Sequence, residues 1–309
     1  MLATAVRCGD WRTAPDALID QLIATESRGW LDDLGWDVRA SWAVLAPARK
    51  AGVLHGFIVR DDAGLVLGWT CFLVHQGIAQ VAILVAARPD VTQALVGAIL
   101  GSKAAQKATG CTFFVRSAPG LARCLGSRAF DVETYRYRSL ALHATAPADG
   151  RVRSWRDEDD RRLPSLLQRA YLDSEDLRPF ATGGTLDEWR VYAGQLLAQS
   201  DCGVFRRDLS TIVDGNHGDL GGAAVLTELG PRTVHLAQIA VDPEARGRGI
   251  ARELLSACAG TAAGTGASTL TLLVAESNRP AGALYDSLGF RDMASFVLAM
   301  RRPAPDRDG

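Results

Sequence analysis

The apolar positions of this chain change period repeatedly, and they do so in the same order twice. In the second half, Arg151 to Trp155 reads as a short strand, and the residues from Asp160 to Tyr171 follow helical spacing behind an N-cap candidate, Asp157. A second helix opens at Thr185 or Asp187 and ends near Ser200. Extended segments follow at Cys202 to Arg206, Leu220 to Glu228 and Arg232 to Val241, the last two joined as a hairpin by the turn Leu229-Gly230-Pro231. A helix from Gly249 to about Ala263 is stopped by Gly264 and Gly266. A buried strand, Thr269 to Val274, and a short helix, Pro280 to Leu288 ending at Gly289, complete the pattern before a frayed tail after Arg301.

The first half repeats this order in weaker form. Extended segments at Gly56 to Arg60, Gly64 to Val74 and Ile78 to Ala86 lead to a helix Val91 to Lys107, a strand Cys111 to Arg116 and a short helix ending near Phe130. Val85 and Val241 lie 156 positions apart (241 − 85), as do Leu95 and Ala251 (251 − 95). Phe130 and Phe290 lie 160 apart (290 − 130), a drift that loop-length variation accounts for. The pattern predicts a duplicated unit, because internal repeats decide architecture before local detail does. Between the copies, the stretch Ala144-Thr145-Ala146-Pro147-Ala148-Asp149-Gly150 is small, polar and turn-forming. The expected division is 1–143, a linker 144–150, a second domain 151–302 and a flexible tail 303–309.

Bulk numbers support two domains, since 309 residues exceed the usual single core. With 48% hydrophobic residues, 22% charged residues and a net charge of -1, the composition is that of a globular protein with no basic excess for nucleic acid. The longest apolar stretches, such as Gly77 to Ala87, fall short of the roughly 20 residues a membrane span needs. No basic n-region followed by an apolar run opens the chain, so a cytoplasmic location is expected. Six scattered cysteines, Cys8, Cys71, Cys111, Cys124, Cys202 and Cys258, form no C-x-x-C pair and have no nearby histidine, which argues against a metal site or a disulfide framework.

Candidate chemistry concentrates after the second hairpin. The run from Ala240 to Leu255 reads strand, proline-marked turn, glycine-rich loop, amphipathic helix. Successive N–H groups at a helix start lack internal partners and point the same way, so this geometry binds anions. Gly247 and Gly249 remove side chains that would hold a phosphate off the backbone, and Arg246 and Arg248 can add charge-assisted hydrogen bonds. No G-x-x-x-x-G-K-[ST] is present, which excludes a P-loop, and Arg252 stands where a dinucleotide fold would need its third glycine.

The run Val234 to Leu255 resembles the central motif of the GNAT (GCN5-related N-acetyltransferase) superfamily, whose Q/R-x-x-G-x-G/A appears here as Arg246, Gly249 and Ala251. Downstream, Asn278 to Phe290 is similar to that family's second motif, an asparagine followed by A-x-x-L-Y-x-x-L-G-F. The joint match covers about 60 residues, with a strand between the motifs. The resemblance implies an α/β (α+β) fold of two tandem GNAT-like domains, each a mixed twisted sheet flanked by helices and splayed between its fourth and fifth strands. It also implies acetyl-CoA, or another acyl-CoA, held by Arg246, Gly247, Arg248, Gly249, Ile250 and Ala251. On the family pattern, the backbone of Ile239, Ala240 and Val241 receives the pantetheine, while Asn278 is a cofactor contact or a helix cap.

Acyl transfer from a thioester to an amine needs an uncharged amine, a stabilised oxyanion and a proton for the leaving thiolate. The resemblance puts Tyr285 over the sulfur, as the proton donor or as the hydrogen bond that steadies the thiolate. For the base, His235, Gln238 and Glu276 are the local polar candidates, and strand alternation puts His235 on the face opposite Gln238. The acid- and aromatic-rich stretch Tyr171 to Phe180 would draw a cationic amine. At equal offset, Asp90, Gln93 and Leu95 replace Arg246, Gly249 and Ala251, and Leu125 replaces Tyr285, so the first half is expected to be a degenerate copy without cofactor binding. The expected activity is N-acetylation of an amine-bearing acceptor by a monomer or homodimer with no nucleic-acid or membrane partner. The alternatives are a non-catalytic acyl-CoA-binding sensor or docking protein, and an enzyme resembling the tandem acetyltransferases that complete low-molecular-weight thiols such as mycothiol.

Overall fold

The computed structural model describes residues 6–143, 150–172, 180–181, 183–198 and 202–301. Most of the predicted linker and tail, and residues 173–179 of the acid-rich stretch, lie outside them. The first half runs β1 (Arg7–Asp10), α1 (Asp16–Leu34), α2 (Arg39–Lys50), β2 (His55–Arg60), β3 (Val66–His75), β4 (Ile78–Ala86), α3 (Pro89–Gly101), α4 (Lys103–Gln106), β5 (Gly110–Arg116), α5 (Leu121–Gly126) and β6 (Asp131–Ala141). The second runs β7 (Val152–Ser154), α6 (Asp159–Tyr171), α7 (Leu186–Ala198), β8 (Val204–Phe205), β9 (Thr211–Asp214), β10 (Leu220–Gly230), β11 (Thr233–Val241), α8 (Ile250–Gly264), β12 (Thr269–Ala275), α9 (Arg279–Ser287) and β13 (Arg291–Arg301). The single helix expected from Val91 to Lys107 is two, because Ser102 turns extended and its hydroxyl accepts from the Ala105 N–H to cap the second.

The strands form one mixed sheet in the order β1-β2-β3-β4-β5-β13-β6-β12-β11-β10-β9-β7, with β8 beside β10. From either end, five strands of one half come first, then the last strand of the other half, then the half's own last strand. β13 therefore sits between β5 and β6, and β6 between β13 and β12, each antiparallel to its neighbours. The halves thus share their two closing strands, and the edge that β5 or β12 would expose in isolation is covered by the other half.

Helices cover both faces. One face packs α3 and α5 over Phe113, Val115, Val297 and Ala299, and continues as α8 and α9 over Leu226, Leu236, Leu270 and Leu272. The opposite face carries α1 and α2 over Trp69 and Ile83, and α6 and α7 over Val225 and Ala240. Between these pairs, the connection from α1 to α2 crosses onto the second half. The Asp37 N–H donates to the Leu229 carbonyl at 2.8 Å, and Trp36 packs with Tyr137, Leu229 and Phe296. Gly35 is required there, with φ +66 and space for no side chain: a Cβ would lie 2.3 Å from Thr233 Oγ1.

Two irregularities recur in both halves. β4 and β5 pair in parallel only through Ile78–Val81 and Gly110–Phe113, and β11 and β12 only through Thr233–Leu236 and Thr269–Leu272, after which each pair separates. A bulge interrupts each fourth strand: Cys71 and Phe72 face Ile83 and Val81, leaving Ala82 extra, and Val225 and Leu226 face Gln238 and Leu236, leaving Ala237 extra. These features put the strand repeat at 155 positions (236 − 81), and the fifth strands at 159 (272 − 113). The 156-residue offset read from sequence is corrected accordingly. Asp90, Gln93 and Leu95 are not the counterparts of Arg246, Gly249 and Ala251, because the first half passes from β4 to α3 through Ala87 and Arg88 alone, whereas Asp242 to Gly249 join β11 to α8.

Candidate active site

At the start of α8 the chain leaves its donors open. Pro243–Ala245 makes a short 3-10 turn that Asp242 caps, and Gly247 (φ +74) and Gly249 (φ +78) take left-handed conformations that carry the chain into the helix. Among the described residues, no backbone carbonyl accepts from the N–H groups of Gly247, Arg248, Gly249, Ile250 or Ala251, and Gly249 offers no side-chain cap. The loop is braced from outside. Arg246 donates to the Ala170 carbonyl at 2.6 Å, Arg169 pairs with Asp242 at 2.7 Å, and Arg151 holds both Glu253 and the Arg248 carbonyl. These contacts fix the amides facing outward at the positive end of the helix.

Where β11 and β12 separate, a cavity of about 780 Å³ opens. Ile239, Ala240 and Val241 pair with Ala224, Ala223 and Gly222 of β10, while their other edge has lost β12. Tyr285 lines the cavity from α9 and is only 4% exposed, packed against Phe290 with ring centroids 5.5 Å apart. Burial pushes its phenol well above the usual range, and no described group hydrogen-bonds its hydroxyl. Asn278 also lines the cavity and caps α9, its side-chain oxygen accepting from the Ala281 N–H at 3.2 Å.

The candidate bases fall in three different environments. The bulge at Ala237 reverses the alternation of β11, so His235 and Gln238 share a face, against the expectation from simple alternation; Leu236 packs under α8 but Ala240 under α6 and α7. His235 is 2% exposed, stacked on Tyr137, tilted against Trp36, and bonded through Nδ1 to Thr271 Oγ1 at 2.9 Å. Burial pushes its pKa down to about 3, so the imidazole is neutral at physiological pH. Gln238 is 7% exposed; its Oε1 accepts from the Tyr171 hydroxyl at 3.3 Å, and its Nε2 is buried without a partner. Glu276 lies outside the cavity lining and is ion-paired with Arg136.

Sequence reasoning missed the first half's share of this cavity. Ile78, Gln80, Thr112 and Phe114 line it from β4 and β5 and Tyr135 from β6, beside Leu298, Met300 and Arg301 of the second half's β13. The signal was present in the alternation of Asp131 to Ala141 and Arg291 to Arg301, but the exchange that brings these strands to the centre is a long-range event that no local pattern records.

Residues 166–290 match the acetyltransferase (GNAT) family model. No curated protein matches the chain. Among solved structures, a GCN5-related N-acetyltransferase from Sphaerobacter thermophilus is 18% identical, with 99% of this chain and 97% of that one covered at a TM-score of 0.61. A Drosophila protein is 14% identical over 97% and 99% at 0.57, and an acetyltransferase of the GNAT family from Colwellia psychrerythraea 15% identical over 96% and 100% at 0.50. At these identities the likeness is one of fold, and it extends over both halves. The loop, the splayed strands and the family match agree: residues 166–290 carry a GNAT acetyltransferase domain, and the chain has the fold of two tandem GNAT-like units.

Proposed function

We propose that the second half is an acetyl-CoA-dependent N-acyltransferase that moves the acetyl group directly to a primary amine in a ternary complex. The observation that carries this is the set of open amides from Gly247 to Ala251 at one end of β11, with the Tyr285 hydroxyl on the cleft that the same strand borders. We keep the division into 1–143, 144–150 and 151–302, each half closing its sheet with the other's last strand.

The residues suit the cofactor. Outward amides, two left-handed glycines and an adjacent Arg248 fit a diphosphate, and the free edge of Ile239 to Val241 fits an extended amide-bearing arm. Acetyl-CoA supplies an activated acyl carbon and a thiolate leaving group. Around it, the bulge at Ala237 leaves main-chain donors outside the regular ladder, where they can receive the carbonyl oxygen. Tyr285, held protonated by burial, donates a hydrogen bond to the sulfur as negative charge grows there. His235 is too weak a base for this role near neutral pH, and Glu276 is committed to Arg136, so the amine enters in the neutral form that desolvation favours, its extra proton left to bulk water, and the proton its nitrogen sheds on acylation is taken up by the leaving thiolate.

Replacing Tyr285 by Phe tests the mechanism. Turnover is expected to fall about a hundredfold while acetyl-CoA affinity, measured by calorimetry, stays within a few-fold. Unchanged turnover would remove the phenol from the chemistry. If acetyl-CoA binds but no free thiol appears with any amine, the protein is a binding module instead.

A further inference from the structure

We infer that the acceptor is a monoamine with an uncharged aromatic or aliphatic body, received in a chamber that both halves build and oriented by Gln238. The inference rests on the acyltransferase reading and names its substrate class. The cavity lies at the splay and reaches the face opposite α8 and α9, where strands β5, β13 and β6 and helices α6 and α7 supply its lining residues. Rings dominate it: Phe114 and Tyr135 on the strands, Tyr171, Phe180 and Tyr192 around α6 and α7. Among the described lining residues there is no Asp, Glu or Lys, and Arg301 is the one charged side chain.

Against these walls an apolar body buries favourable surface, whereas a sugar would bring hydroxyls to a surface of ring faces and methyl groups. A single ammonium, by contrast, is attracted to ring faces, while desolvation in the chamber works the other way and favours the neutral amine that attacks. Gln238 orients the head: its Oε1 accepts from the Tyr171 hydroxyl with one lone pair and has a second to accept from the amine N–H, which leaves the amine lone pair free to attack.

The test uses the full chain with acetyl-CoA and five amines: 2-phenylethylamine, hexylamine, spermidine, glucosamine and a lysine peptide. Thiol release should show kcat/KM for the first two at least about tenfold above the other three. Phe114→Ala, in the first half, should raise KM for phenylethylamine about tenfold, and Gln238→Met likewise, with the acetyl-CoA Kd within about twofold of the parent protein. Preference for spermidine, glucosamine or the peptide overturns the inference, as does indifference to Phe114→Ala. Faster turnover with octanoyl-CoA than with acetyl-CoA, lost in Phe114→Ala, assigns the chamber to the acyl chain and overturns it too. Phenylethylamine binding to the acetyl-CoA-saturated protein without thiol release sinks the transferase reading and leaves the ligand class standing. Absence of both binding and release sinks the ligand class.

Discussion

The two copies share a scaffold and differ in four places that matter to chemistry. Both fourth strands bulge at matching positions, Ala82 and Ala237, and both part from the fifth strand after four paired residues. Only the second half then has the loop from Asp242 to Gly249; in the first, α3 begins at Pro89, whose ring takes the first-turn position where no N–H is needed. At the repeat offsets, Gln80 stands for His235, the buried Ile83 for Gln238, and the fully buried Leu125 for Tyr285. The bulge and the splay therefore belong to the fold, whereas the loop of open amides and the polar side chains are what one copy has and the other lacks.

The largest test of that contrast is to separate the copies. Residues 1–143 alone would keep β5 and β6 but lose β13 between them, leaving two unpaired edges and the apolar faces of Val297 and Ala299 missing from the core. The isolated segment is expected to show no cooperative thermal transition in circular dichroism. A cooperative melt together with acetyl-CoA binding would contradict both the strand exchange as a structural requirement and the reading of this half as degenerate.

A smaller change carries the second half toward the first. Gly249→Val puts a β-branched residue at φ +78 and a side chain among the open amides, so acetyl-CoA affinity should weaken by about a hundredfold or more in calorimetry. The overall melting transition should persist, since no described heavy atom lies closer than 3.9 Å to the added Cβ. Retained affinity would mean that the diphosphate is held elsewhere.

Much of this was legible in the sequence for a physical reason: the anion loop is local. Gly247 and Gly249 take left-handed conformations set within a few residues of themselves, so spacing reveals the loop. The helices and hairpin of the second half followed from periodicity in the same way. What escaped depends on distant partners. β6 and β13 alternate as strands should, but their places beside one another are set by tertiary pairing between distant residues (Phe296 faces Tyr135, 296 − 135 = 161 positions away), and the register of Leu226 against Leu236, not any residue type, creates the bulge that turns Gln238 to the side of His235.

The contact between the copies at His235 gives the smallest effect and the finest test. The ring lies beneath Trp36 of the first half, and burial lowers its pKa to about 3, while in the unfolded chain it returns to about 6.5. Below the unfolded value the unfolded state binds a proton that the folded state refuses, so stability falls as pH drops from about 6.5 toward 3, by at most about 1.4 kcal/mol per pH unit. His235→Phe should remove that slope, measured from urea unfolding between pH 6.5 and 4.5. His55, also lowered by partial burial, has the same sign in both proteins and cancels in the difference. The aspartates that brace α6 leave the window clear, because Asp159 and Asp214 are held below the usual carboxylate value and their contribution is lost only as pH falls through the range below about 4. An unchanged slope in the phenylalanine variant would mean that the imidazole is hydrated, and that the first half does not seal the cavity at Trp36.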